Sequence, residues 1–166
     1  MPSLDAFDAA ETGDVDYTHR YLSAGNSPDA INFRGFSALQ IAIEHSRPEI
    51  VRLLLAAGAN PNLIDRFGTT PISRAIDAAR EDADDRDAEP SFELVEMLLQ
   101  HGADVYPAGP DGHTAIRSAN DWKHPLLVQL LLKYLGSESL IVAPPRPSRF
   151  VRLVAGLLTL LPVRRR

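Results

Sequence analysis

Histidine, cysteine and carboxylate side chains are the groups in this sequence that could bind a metal ion or transfer a proton. The chain has five histidines and no cysteine. No two histidines stand at the i, i+4 spacing that places a zinc-binding pair on one face of a helix. The carboxylates fall in expected caps, turns and one acidic segment, whereas acid–base catalysis needs them to converge in a dry pocket.

Motifs of covalent or phosphate chemistry are also missing. The sequence contains no G-x-S-x-G, P-loop or G-x-G-x-x-G pattern. His101 directly precedes Gly102, at the expected end of a helix, where a partly exposed cation has a favourable structural role. We therefore predict a protein that is not an enzyme and that has no metal site and no cofactor.

The overall charge and the start of the chain limit the classes of partner. A net charge of −5 argues against a general nucleic-acid binder, which needs excess cations to displace phosphate counterions. The acidic start, MPSLDAFDAAETGD, has no apolar signal segment, and no stretch reaches the roughly 18 uncharged apolar residues of a membrane span. With the absence of cysteine, these features predict a cytoplasmic protein.

The stretch from Phe33 to Asp65 is a unit that recurs along the chain. It holds a turn glycine, a short helix, a Ser-Arg-Pro break and a second helix. The expected buried side of the first helix is formed by Leu39, Ile41 and Ala42. Such a unit is apolar on both flanks, so it requires copies of itself on either side.

Two independent marks show the period of these copies. The runs YLSAG, LLAAG and LLQHG, which end the second helices, are spaced by 33 and then 44 residues. The turn glycines Gly35, Gly68 and Gly112 show the same two spacings. Agreement between the two marks indicates true repeats, one of which carries 11 extra residues.

The turn segments carry a family resemblance. GTTPISRA (68–75), GHTAIRSA (112–119) and the looser GFSALQIA (35–42) resemble the G-x-T-P-L-H-x-A signature of ankyrin repeats. The resemblance spans about residues 4–136. It implies an all-α ankyrin-repeat solenoid of about four helix-turn-helix repeats, to which we add one C-terminal helix.

Local capping residues agree with this resemblance. Helix N-caps are expected at Ser37, Thr70 and Thr114, with Pro71 at the first helical position. The family's histidine in the signature is replaced here by Gln40, Ser73 and Arg117. We expect that replacement to weaken the hydrogen bond that braces the turn.

The predicted organisation has three parts. An ankyrin-repeat domain covers residues 1–136, with repeats at about 4–32, 33–65, 66–107 and 108–136. A Pro-rich linker covers 137–148, and an amphipathic helix with a basic tail covers 149–166. The first repeat is interpreted as a cap with a solvated outer face, because it carries acids at Asp5, Asp8, Glu11, Asp14 and Asp16.

The extra residues of the third repeat are rich in acids. The segment AREDADDRDAEPS predicts that the first helix continues for one or two more turns, until Pro90 and Ser91 start the next. The favoured interpretation is a solvated acidic excursion. The alternative is a docking arm for a basic partner.

The C-terminal segment is apolar and basic. Residues 141–166 hold six arginines and no acid, and the apolar residues of 149–163 recur at helical spacing. The stretch between Arg152 and Arg164 is too short to cross a bilayer. We favour a helix that caps the apolar flank of the fourth repeat; the alternative is an interfacial membrane anchor.

The resemblance implies protein binding, through positions around each turn glycine and late in each first helix. Aromatic residues and arginine are enriched in binding hot spots. The predicted partner-binding residues are Phe33, Arg34, Phe36, Arg66, Phe67, Asp77, Asp111, His113 and Trp122. The phenylalanines could instead join neighbouring turns, and the tryptophan could cover the last helix pair.

The predicted function is therefore that of a monomeric adaptor or inhibitor that binds another protein. The alternative is a peripheral membrane protein that is anchored by its C-terminal helix.

Overall fold

The computed structural model describes residues 5–87, 89–106 and 115–138. These residues form eight helices in four consecutive pairs. The helices are α1 Ala6–Thr12, α2 Val15–Ser23, α3 Ala38–Glu44, α4 Pro48–Ala56, α5 Pro71–Arg86, α6 Glu93–Gln100, α7 Ala115–Trp122 and α8 Pro125–Glu138. Across these ranges the extended structure is one isolated antiparallel bridge, between Ile31 and Ser37. The predicted all-α class is confirmed.

Equivalent helices of successive pairs pack side by side. The first helices form one row, in which α1 contacts α3, α3 contacts α5 and α5 contacts α7. The second helices α2, α4 and α6 form another row. Because most of these helices are only seven to nine residues long, isolated copies would be marginal in water, and the packing between repeats stabilises them.

The chain divides into two compact units, Met1–Tyr134 and Leu135–Arg166. The described part of the second unit is the last turn of α8, which ends at Glu138. Ser137 and Glu138 are thus helical. The rest of the predicted linker and the predicted C-terminal helix lie outside the described residues.

The core is built by one face of each helix. In α3 the buried residues include Leu39, Ala42 and Ile43, which follow the i, i+3, i+4 spacing of one helix side. The expected burial of Ile41 is wrong, because its position on the helix is turned away from that side and it is partly exposed. Ile43 takes the buried place instead.

Helix starts follow the predicted caps. Ser37 forms a capping box with Gln40 at the start of α3, and the Thr70 side chain accepts a hydrogen bond from the Ser73 N–H at the start of α5. Pro71 is the first residue of α5. Thr114 lies outside the described residues.

The acidic segment lengthens α5 as predicted. This helix has 16 residues against seven in α3, and it ends at Arg86, with Asp87 as its C-cap. The next helix begins at Glu93, with the side chain of Ser91 accepting a hydrogen bond from its N–H. The extension therefore gives an exposed run of acids on a helix, and Ala83 on the same stretch is buried.

Candidate partner-binding surface

Two loops between helix pairs project as fingers: finger 1, residues 24–37, and finger 2, residues 57–70. Each is closed by one side-chain oxygen that accepts two backbone hydrogen bonds. Asn32 Oδ1 accepts from the N–H groups of Arg34 and Phe36 at 2.9 and 3.0 Å. Asp65 Oδ1 accepts from Phe67 and Thr69 at 2.8 and 2.9 Å. The fingers thus share one backbone design at a spacing of 33 residues.

The tips of these fingers expose aromatic and arginine side chains. Phe33 is 97% exposed and Phe67 is 57% exposed. Arg34 and Arg66 are exposed beside them, with the Arg66 guanidinium 4.6 Å from the Phe67 ring centroid. These four predicted binding residues therefore form one aromatic and cationic surface, which we call the tip surface.

Phe36 does not belong to the tip surface. It is only 7% exposed, and its ring centroid lies 5.9 Å from that of Phe67 in the next finger. Guanidinium groups of Arg66 and Arg74 lie 5.7 and 5.2 Å from its centroid. The expectation that Phe36 faces outwards is wrong, because the turn closed by Asn32 directs it between the fingers, which it holds together.

Arg74, on α5, contacts Phe36 of finger 1, Asp65 of finger 2 and Glu44 of α3. Its guanidinium bonds the carboxylate of Asp65 at 2.6 Å and that of Glu44 at 3.0 Å. The Asp65 side chain is fully buried, so this charge needs its partner. Sequence reasoning missed the pair. The available signal was that Asp65 stands three residues before Gly68, as Asn32 does before Gly35.

Gln40 braces the second finger. Its side chain is buried, its Oε1 accepts from the Ser37 N–H at 2.9 Å, and its Nε2 donates to the Leu63 carbonyl oxygen at 2.8 Å. The expected weakening of the turn brace is therefore wrong at this position, because a glutamine amide reaches both groups. Ser73 is shorter, and among the described residues its hydroxyl bonds within its own turn, where it accepts a hydrogen bond from the Thr70 hydroxyl.

Two more of the predicted residues, Asp77 and Trp122, lie on helices and not in the fingers. Asp77, on α5, is 3.5 Å from Arg80 in an exposed ion pair. Trp122 packs against Phe92 and His124, with ring centroids 5.6 and 5.1 Å away. Trp122 thus contacts the start of α6 and the turn between α7 and α8, and its part in partner binding stays a prediction. Asp111 and His113 lie outside the described residues.

A concave groove lies between α1, finger 1 and α3, and has a volume of about 720 Å³. Phe7, Ile31, Phe33 and Ile41 supply its apolar lining. The carboxylates at its wall are Asp5, Asp8, Glu11 and Glu44. Among the residues that line it, Phe33, Arg34 and Phe36 belong to the predicted partner-binding residues.

The family of the chain is shown by comparison with known proteins. A family model for ankyrin repeats (3 copies) matches residues 6–84. The chain belongs to the ankyrin repeat family.

Individual ankyrin-repeat relatives support this membership. RelA-associated inhibitor of Mus musculus is 33% identical over 123 residues, which are 74% of this chain and 14% of that protein. A putative ankyrin repeat protein of fowlpox virus is 36% identical over 102 residues, 61% of this chain and 21% of that one. B-cell lymphoma 3 protein homolog of Mus musculus is 30% identical over 114 residues, 68% and 20% respectively.

The chain thus spans about a fifth or less of the length of these relatives. Ankyrin repeats imply protein–protein interaction, and the family is generally non-catalytic. No helix in the described ranges is long and apolar enough to cross a membrane.

Proposed function

We propose that this ankyrin-repeat chain is a non-catalytic adaptor or inhibitor that holds one partner protein against its tip surface and concave groove. The exposure of Phe33, 97% at the tip of finger 1, is the observation that supports this proposal most directly. Covering such a ring contributes roughly 1.5–3 kcal/mol. A large aromatic side chain in this setting matches the anchors that dominate protein interfaces.

Finger 1 and finger 2 are well suited to present this surface. Their tips are closed by Asn32 and Asp65, and Phe36 packs between them. Arg66 lies across Gly35, where an added Cβ would be only 3.1 Å from the arginine Cβ. Because the loops are braced before binding, little conformational entropy is lost when a partner docks.

We further propose that the protein acts as a monomer in the cytoplasm and does not bind nucleic acid. The net charge of −5 argues against nucleic-acid binding, and the absence of cysteine fits a reducing compartment. One relative carries the name RelA-associated inhibitor. That name supports the inhibitor form of the proposal without identifying a partner for this chain.

The Phe33→Ala variant tests the tip surface. A partner is first captured from the native host on the immobilised protein and then purified, and its affinity is measured by calorimetry. We expect the variant to weaken binding about 30-fold or more, the effect of removing a hot-spot side chain. Its melting temperature should stay at the wild-type value, since Phe33 makes little contact with the fold.

Two controls make the result specific. Leu126→Ala removes another exposed apolar side chain, on α8, and should leave the affinity unchanged. Phe36→Ala should instead lower the unfolding free energy by about 3 kcal/mol or more, as buried aromatic truncations do. Wild-type affinity in Phe33→Ala, combined with a loss of affinity in Leu126→Ala, would show that the binding surface does not lie at the finger tips.

A further inference from the structure

We propose that the groove between α1, finger 1 and α3 takes a basic segment of the partner protein, with an aliphatic side chain between its cations. This inference rests on the proposed function and specifies the chemistry of the partner. The occupant is a peptide segment that carries arginine or lysine and has leucine, isoleucine or valine between them.

The charges of the groove select cations. Four carboxylates line it, against two basic side chains, Arg34 and His45. Within the described residues, the carboxylates of Asp8 and Glu11 have no ion-pair partner. Arg47 lies near Glu11, but its Nε donates to the backbone carbonyl at 3.0 Å and not to the carboxylate. Both acids are thus free to meet a ligand.

The other two carboxylates are partly engaged. Asp5 uses one oxygen to cap α1, and Glu44 pairs with Arg74. Arg34 lies with its guanidinium 5.7 Å from the Phe36 centroid, at the finger end of the groove. The unpaired negative charge therefore lies on α1, along the wall that faces finger 1.

Apolar side chains lie on all three elements that line the groove, beside the polar Asn32 and His45. Ile31 on finger 1 is exposed, Ile41 on α3 is partly exposed, and Phe7 lies on α1. An aliphatic side chain would cover these groups, while cations on either side would meet Asp8 and Glu11. An acidic segment would be repelled by the acids of α1, and a purely polar basic segment would leave the apolar side chains uncovered.

The experiment uses three synthetic peptides and the full-length protein. The first is GRSLRSLRSG; the second has glutamate in place of each arginine; the third has serine in place of each leucine. Binding is followed by backbone amide chemical shifts during titration. We expect the first peptide to bind, with shifts concentrated in α1 and finger 1, and the other two to bind at least fivefold more weakly.

Isosteric variants test the α1 wall. Asp8→Asn with Glu11→Gln should reduce the affinity for the first peptide about tenfold, because two exposed charge pairs are lost. The matched control is Asp84→Asn with Asp85→Asn on the exposed extension of α5, which should bind as wild type. Equal loss in both double variants, equal binding of the glutamate peptide, or no binding of the first peptide would overturn the inference.

The captured partner separates this inference from the proposed function. If Phe33→Ala weakens that partner but Asp8→Asn with Glu11→Gln does not, the function stands and the groove chemistry is wrong. If the peptide shifts map to α1 and finger 1 while Phe67→Ala, a tip-surface change outside the groove lining, leaves the partner unaffected, the groove chemistry stands and the tip surface is wrong.

Discussion

Phe33 and Phe36 are three residues apart in finger 1, and they have opposite roles. Asn32 turns the chain by accepting two backbone hydrogen bonds, one of them from the Phe36 N–H. That turn leaves Phe33 at the tip and directs Phe36 towards Phe67 of the next finger. We therefore expect a substitution at Phe36 to lower the stability of the fold, and we propose that a substitution at Phe33 weakens partner binding instead.

A prediction at the residue scale concerns Gln40. Replacing it by alanine removes the partners of the Ser37 N–H and the Leu63 carbonyl. We expect the free energy of unfolding, measured with urea, to fall by about 2–3 kcal/mol, since unpaired groups in a buried setting are costly.

Gln100→Ala is the matched control, because Gln100 is exposed at the end of α6. Its unfolding free energy should stay within about 0.5 kcal/mol of wild type. Similar values for the two variants would show that the Gln40 brace contributes no stability.

At the scale of the helices, one equivalent position in each repeat decides how the two helices of a pair are joined. Gly13, Ser46 and Lys123 occupy equivalent places in the first, second and fourth pairs, and all have positive φ, of 84°, 51° and 57°. The corresponding residue of the third pair is Ala79, which lies inside α5. The acidic segment therefore continues the helix past this position, and the left-handed residue of this pair is Asp87, with φ of 47°.

This difference predicts opposite effects of one substitution type. Ser46→Gly should raise the unfolding free energy by about 0.5–1 kcal/mol, because glycine adopts positive φ without a Cβ clash. Ala79→Gly should lower it by about the same amount, because glycine is unfavourable inside a helix. Thermal unfolding of both variants checks the pair, and shifts of the same sign would contradict this account of the insertion.

At the scale of the whole molecule, polar bridges connect successive repeats. Asp29 accepts from the Asn60 N–H at 2.8 Å. Asn62 accepts from the Asp104 N–H at 2.7 Å and donates to the Gly102 carbonyl at 3.0 Å. In a stack of repeats, cooperativity depends on such nearest-neighbour interactions.

Asn62→Ala should weaken the coupling of the second repeat to the third. We expect the unfolding free energy to fall by about 1–2 kcal/mol. The transition followed by fluorescence of Trp122, the one tryptophan of the chain, should separate from that followed by far-UV circular dichroism.

Asn26→Ala serves as the control, because its amide bonds the Tyr21 carbonyl within one repeat. Its two transitions should coincide. Coincident transitions in Asn62→Ala would show that this bridge does not couple the repeats.

Much of the fold was predictable from the sequence because its signals are local. The caps at Ser37 and Thr70 and the lengthening of α5 depend on residues a few positions apart. The 33-residue period is the recurrence of such local marks along the chain. Helix capping, periodicity and left-handed glycines act over that range. The protein-binding class followed from the same repeated motifs.

The tertiary structure alone decided which residues form the candidate site. Gln40 meets Leu63 across 23 residues, and Arg74 meets Glu44 across 30. The groove combines α1 with finger 1 and α3, and Phe36 is buried by finger 2. Such contacts depend on how neighbouring repeats stack, because burial of a side chain is set by the surfaces around it and not by its place in the repeat.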